Sequence, residues 1–195
     1  AGSSSQRQGP LSRARTLIDH GRFAEAAPLL AAIVDGGVAS ELERARLELG
    51  LGDAAQACAR LRAVEPLLEV ASRDAAPEAE NLASRWRLVL ARALVGVGEF
   101  AAAVELVDEL KDDPSPLGVE ALAYHGLATW YLDRREAARE ELERAVAGAI
   151  RAGSARAEAV ALCNLGVILQ REDRFDVARA TYERAIDAAE RAGEA

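Results

Sequence analysis

Residues 162–186 decide the fold: Leu162-Cys163-Asn164-Leu165-Gly166-Val167-Ile168-Leu169, then Phe175, Ala178, Tyr182 and Ala185-Ile186. Leu162, Leu165, Gly166 and Leu169 stand at i, i+3, i+4 and i+7, one apolar stripe on an α-helix. Ala178, Tyr182 and Ala185 form a second stripe, and the polar pair Glu172-Asp173 breaks the chain between the two. Gly166 removes a side chain where two antiparallel helices must approach closely, and Ala178 does the same from the other side. Leu165, Leu169 and Tyr182 fill the space around that contact, Phe175 sits at the turn, and Ala185 makes room for the next hairpin. Isolated helices of this length are marginal in water, so each must bury a face against neighbours.

The pattern extends upstream. A fourth unit carries Leu122, Gly126, Ala138, Leu142 and Ala145, with Gly126 placed 40 residues before Gly166. A third carries Leu90-Ala91, Leu94, Gly98, Phe100, Ala103 and Val107, and the first carries Leu17, Gly21, Phe23, Ala26 and Leu30. The second, with Leu42, Ala45, Leu49, Gly52, Ala57 and Leu61, lacks the turn aromatic and fits only with a one-residue shift. Turn positions Gly21, Gly52, Gly98, Asp133 and Asp173 lie 31, 46, 35 and 40 residues apart. Short Gly-rich or polar breaks divide the chain into about ten helices, and no stretch alternates long enough for a strand.

The Asn164-Leu165-Gly166, Phe175, Ala178, Tyr182, Ala185 series resembles the tetratricopeptide repeat, whose unit is about 34 residues. The longer spacings resemble the extended repeats of kinesin light chains and of large bacterial regulators such as maltose-activator-type transcription factors. The resemblance implies an all-α, right-handed α-α superhelix of about five hairpins, near 11–36, 39–72, 77–113, 116–152 and 155–192, forming a single solenoid over 11–195. Residues 1–10, opening Ala1-Gly2-Ser3-Ser4-Ser5 and ending Gly9-Pro10, read as a disordered linker or tag remnant. Together with the missing Met and a last hairpin without a polar cap, they predict an excised piece of a longer protein.

Composition fits this frame. Half of the 195 residues are hydrophobic but only 4% aromatic, the mixture of closely packed helices. A balance of 24 basic against 32 acidic residues, net −8, argues against a nucleic-acid surface. No apolar run is long enough to span a membrane, and no signal-peptide pattern is present, so a cytoplasmic setting is expected. Gly96-Val97-Gly98 lacks the Lys-Ser/Thr of a phosphate loop and reads as a turn. His20 reads as solvated and His125 as packed. Cys58 and Cys163 read as buried inert thiols, Glu140-Glu141 as a solvated face, and Trp86 as core. With no catalytic set and no metal-ligand spacing, the expectation is a protein that is not an enzyme and uses no cofactor or metal.

In the resembled family the first helix of each hairpin lines a concave groove. This implies groove residues Arg85, Leu88, Arg92 and Val95 in the third hairpin. The fourth contributes Glu120, Ala123, Tyr124, Leu127, Trp130 and Tyr131, and the fifth Val160, Cys163, Asn164, Val167 and Arg171. Asn164 matches the Asn with which peptide-gripping members hold a ligand's backbone; the alternative is an exposed helix Asn. Tyr124 and Val89 stand at the matching places upstream, which breaks any Asn ladder. Arg85, Arg92 and Arg171 either meet an acidic partner or solubilise their helices. Trp130 and Tyr131 are anchors or hairpin filler. The expected function is a protein- or peptide-binding scaffold within a larger bacterial signalling or regulatory protein. The alternatives are a small-ligand sensor and self-assembly into a homo-oligomer through the C-terminal face.

Overall fold

A computed structural model describes residues 9–34, 37–72 and 77–194. The expected disorder of residues 1–10 falls mostly outside them. Ten helices run in order: α1 (Pro10–Asp19), α2 (Phe23–Ala31), α3 (Gly37–Gly50), α4 (Ala54–Ser72), α5 (Pro77–Val97), α6 (Phe100–Val107), α7 (Pro116–Tyr131), α8 (Arg135–Ala152), α9 (Ala155–Arg171) and α10 (Phe175–Glu194). No strand occurs among the described residues, so the protein is all-α. The chain divides into two compact units, residues 1–82 and 83–195, with the boundary inside α5.

One backbone device makes the hairpins. Each turn inside a hairpin places one residue in the left-handed region: Gly21, Gly52, Gly98, Asp133 and Asp173. The next residue's N–H then donates to the carbonyl five positions back, as in Arg22 to Leu17, Glu99 to Leu94, Arg134 to Thr129 and Arg174 to Leu169. This closes the first helix by a Schellman motif and reverses the chain in three residues. The five turn positions named from sequence are these five residues. Asp can stand where Gly stands elsewhere because a short polar side chain tolerates this conformation better than most. Ser115 and Ser154 begin α7 and α9 by accepting the N–H of Gly118 and Ala157, at 3.3 and 3.2 Å.

In unit 2, α8 packs along α7, α9 packs on both of them, and α10 packs along α9. The core runs through Val119, Leu122, Leu142, Ala145, Val146, Ala149, Ala157, Ala161, Leu162 and Ile168. The close approach read at Gly166 is present, but its counterpart differs from the expected Ala178. A Cβ on Gly166 would lie 2.6 Å from Cε1 of Tyr182, and one on Gly126 would lie 3.0 Å from Cγ of Leu142. Tyr182 and Leu142 occupy the same place 40 residues apart, so each glycine makes room for a large side chain of its partner helix. Trp86 is buried, as its sequence context implied.

Unit 1 packs α1, α2 and α3 around Ala14, Leu17, Ile18, Ala26, Leu30 and Leu47. Beside this core lies an ion-pair network that the apolar pattern did not disclose. Glu43 is fully buried and accepts from Arg15 Nε at 2.7 Å and from Arg46 at 2.6 Å, and Arg46 also pairs with Asp19. Arg44 donates to the carbonyls of Leu30 and Ile33 at 3.0 and 2.6 Å, satisfying the end of α2. Arg60 bridges Glu48 and Glu41.

Two stability outcomes follow. Gly166→Leu should cost about 1–3 kcal/mol by overpacking, and the cost should shrink in a Tyr182→Ala background; equal melting-temperature losses in both backgrounds would show that the ring is not what the glycine accommodates. Glu43→Ala should cost about 3 kcal/mol, because two guanidinium groups lose a desolvated partner; chemical denaturation of the purified chain measures it.

Candidate functional site

An open cleft of about 550 Å³ lies within unit 2. Three successive first helices supply one wall: Arg92 from α5, Tyr124 from α7, and Val160, Cys163 and Asn164 from α9. The other wall is α10, through Tyr182, Ala185, Ile186 and Ala189. Most of this lining is aliphatic or aromatic carbon, with one guanidinium, two phenols, one thiol and one amide among it. Burial pushes the Tyr124 phenol up from its ordinary value, and the nearby Arg92 charge opposes that shift. Cys163 is exposed at the mouth of the cleft, where partial desolvation raises its thiol and Arg92 again pulls the other way.

Of the residues expected to line a groove, the structure brings Arg92, Tyr124 and Asn164 together here, beside Val160 and Cys163. Others lie elsewhere. Leu88, Glu120, Ala123 and Leu127 are buried. Ala123 and Leu127 belong to the core cluster on which α9 packs. Arg156 Nε donates to Glu120 at 3.0 Å. Tyr131 is half-buried and stacks on Phe100 with ring centroids 4.3 Å apart, while Trp130 meets Tyr131 edge-on and lies under Arg135. These two aromatics are therefore packing between hairpins. Arg85 and Val167 are half-buried, and Arg171 is exposed at the end of α9; none of the three lines the cleft.

Asn164 departs most from its expected role. It is buried, and its Nδ2 donates to the backbone carbonyl of Ala123 at 3.1 Å. The amide joins α9 to α7 through one of its N–H groups while also lining the cleft, so it is not the exposed helix Asn of the alternative reading. Two further readings need correction. Cys163 is exposed although Cys58 is buried. Glu141 is only half-exposed and lies 2.9 Å from Nδ1 of the buried His125, whose Nε2 lies 3.6 Å from Asp108. Sequence spacing could not show this, because the three groups come from three helices or turns. His20 is exposed, as expected, and its Nδ1 lies 2.6 Å from the Thr16 carbonyl. Among the described residues no group of His, Cys, Asp and Glu is arranged to hold a metal ion, and no helix is long and apolar enough to cross a membrane.

The α10 wall was not foreseen. Its signal was present: Phe175, Arg179, Tyr182, Ile186 and Ala189 recur at intervals of 4, 3, 4 and 3, one stripe of a helix.

Cys163 offers a direct probe of the cleft. A disulfide reagent should modify one thiol quickly in the folded protein, with Cys58 reacting only on unfolding. In Arg92→Ala the thiol loses the charge that lowers its pKa, so less thiolate is present and the rate at mildly alkaline pH should fall. An unchanged rate–pH profile would mean that Arg92 does not face the thiol.

Comparison with known proteins agrees with the geometry. Residues 119–191 match the tetratricopeptide repeat family model. A structure from Podosopora anserina, described as a kinesin light chain with nearly identical TPR-like repeats, superposes with a TM-score of 0.55 at 20% identity, covering 92% of each chain. A point variant of it gives 0.57 at 19% identity over 95% of each chain. None of the curated proteins matches the sequence. Residues 119–191, α7–α10, are thus similar to tetratricopeptide repeats, and the glycine contacts, the repeated left-handed turns and the structural likeness give the chain a TPR-like hairpin solenoid as its fold.

Proposed function

We propose that this chain binds a protein or peptide partner through the cleft formed by α5, α7, α9 and α10, without catalysing a reaction. Tetratricopeptide repeats as a class mediate protein–protein interaction. The observation that carries the reading is the cleft itself: largely apolar walls from three successive hairpins, open to solvent, with Arg92 as the cation and Tyr124 as the recessed phenol. Aromatic and Arg side chains around an apolar centre are what protein interfaces favour. Arg92 suits a partner carboxylate, since its fork pairs bidentately. On this reading the chain serves as a cytoplasmic interaction module of a larger bacterial signalling or regulatory protein.

A small-ligand sensor is the second reading, and the cleft volume falls within the usual range for ligand sites. Its openness favours the protein partner, because a small ligand needs a cavity that closes over most of its surface.

The test attaches a benzophenone maleimide to Cys163 and irradiates the protein in an extract of its source organism. Protein adducts that disappear when Arg92→Glu is introduced are the expected result. Adducts confined to small molecules, or protein adducts indifferent to Arg92→Glu, would overturn the proposal.

A further inference from the structure

His125 is buried in α7, outside the lining of the cleft. Both of its ring nitrogens face carboxylates from other elements. Nδ1 lies 2.9 Å from Oε2 of Glu141 in α8. Nε2 lies 3.6 Å from Oδ1 of Asp108, the residue that caps the end of α6. Thr129, one turn further along α7, brings its hydroxyl to 3.3 Å from Nδ1. Lys111, in the turn that follows α6, pairs with Asp108. Among the described residues no other carboxylate lies within 4.0 Å of the ring nitrogens. The imidazole therefore stands where the end of the third hairpin meets both helices of the fourth.

The backbone explains the meeting. Gly126 follows His125, and a Cβ there would lie 3.2 Å from Cβ of Glu141. The close approach that this glycine permits brings the Glu141 carboxylate to the ring. On the other side, Val107 is fully buried, and its carbonyl accepts the N–H groups of Leu110 and Lys111 at 2.9 and 3.1 Å. Asp113 N–H donates in turn to the Leu110 carbonyl at 3.1 Å. This ordered turn carries Asp108 and Lys111 together.

Counting protons decides what the junction can do. An ionised carboxylate only accepts, so the nitrogen 2.9 Å from Glu141 carries a hydrogen. A neutral imidazole has one N–H, and Nε2 then turns a lone pair toward the Asp108 oxygen. Only the imidazolium has an N–H for each carboxylate. The Lys111 charge holds the Asp108 carboxyl below its ordinary value, so Asp108 is ionised throughout the range in which an imidazole titrates.

We infer that His125 is a proton-operated tie between the third and fourth hairpins. Proton uptake on Nε2 fastens the end of α6 to α7. Proton loss releases that end and leaves the Nδ1–Glu141 bond in place. The proton exchanges with solvent on the Asp108 side, where the carboxylate side chain is 59% exposed. The tie joins the hairpin that carries Arg92 to the hairpin that carries Tyr124, the residue before His125, so it acts on the spacing of two cleft residues from outside the cleft. It operates whatever the cleft binds.

The sign follows from linkage. The tie stabilises the fold while His125 is protonated and is lost as pH rises through the histidine's titration. The Lys111–Asp108 pair keeps both charges across that range and contributes equally throughout. The test compares thermal unfolding of the full chain with that of Asp108→Ala at about pH 5.5 and about pH 8.5, either side of an imidazole's usual range. The loss of melting temperature in Asp108→Ala should be larger at the lower pH, by about 2 °C, the size expected of a partly exposed charge pair in a chain of this length. In a His125→Gln background the loss should be the same at both pH values. Hydrogen exchange locates the effect. After correction for intrinsic rates, the amides of Leu110, Lys111 and Asp113 should be better protected at the lower pH in the unsubstituted chain and not in Asp108→Ala. Equal melting losses at the two pH values, or a pH-dependent protection that persists in Asp108→Ala, would overturn the tie. Should His125→Gln fail to fold, Asp108→Ala against the unsubstituted chain decides alone, since Asp108 is exposed.

Discussion

The backbone of a first helix lies against a large side chain of its partner, Leu142 or Tyr182, at Gly126 and Gly166, and the last two hairpins are organised around that contact. A Cβ at 2.6 or 3.0 Å from a ring or a branched carbon would push the two helices apart. Close packing leaves no slack to absorb such a shift. The left-handed residues at Asp133 and Asp173 support the same geometry from the turn, since they fix the angle at which each second helix returns. Turn and contact are separated by only seven residues, so each constrains the other.

Unit 1 solves the problem by other means. Its hairpins lack a Gly facing a large partner in the middle of the first helix, and charge fills part of the space. A buried carboxylate held by two guanidinium groups is a weak source of net stability, because desolvation offsets most of the attraction. It is demanding about geometry, however. Glu43 keeps its partners only while α1 and α3 hold their separation, and Arg44 ties α3 to the end of α2 in the same way.

Much of the fold was legible in sequence because turns and close contacts are local. Gly21, Gly52, Gly98, Asp133 and Asp173 announce themselves as breaks, and Gly166 announces a close approach. The glycine's partner was misjudged, since Ala178 and Tyr182 share a stripe and only coordinates tell which one stands opposite. The site was less legible for a related reason. A first-helix residue can face a groove or face the preceding hairpin, and the two faces are adjacent. Arg92 and Tyr124 fell on the groove side, Ala123 and Leu127 fell on the seam, and Asn164 touches both. The Glu141–His125–Asp108 set and the Glu43 network join helices or turns far apart in sequence, and periodicity carries no information about such pairs.

Asn164 shows why seam and groove are hard to separate. Its position next to Cys163 puts neighbouring side chains on two different surfaces: the amide reaches back to α7, and the thiol opens forward into the cleft. Each first helix is thus two-sided. It closes the surface of the hairpin before it and displays a similar surface to whatever comes next. The Asn164 bond identifies the Ala123 carbonyl as a point where α9 is held on α7.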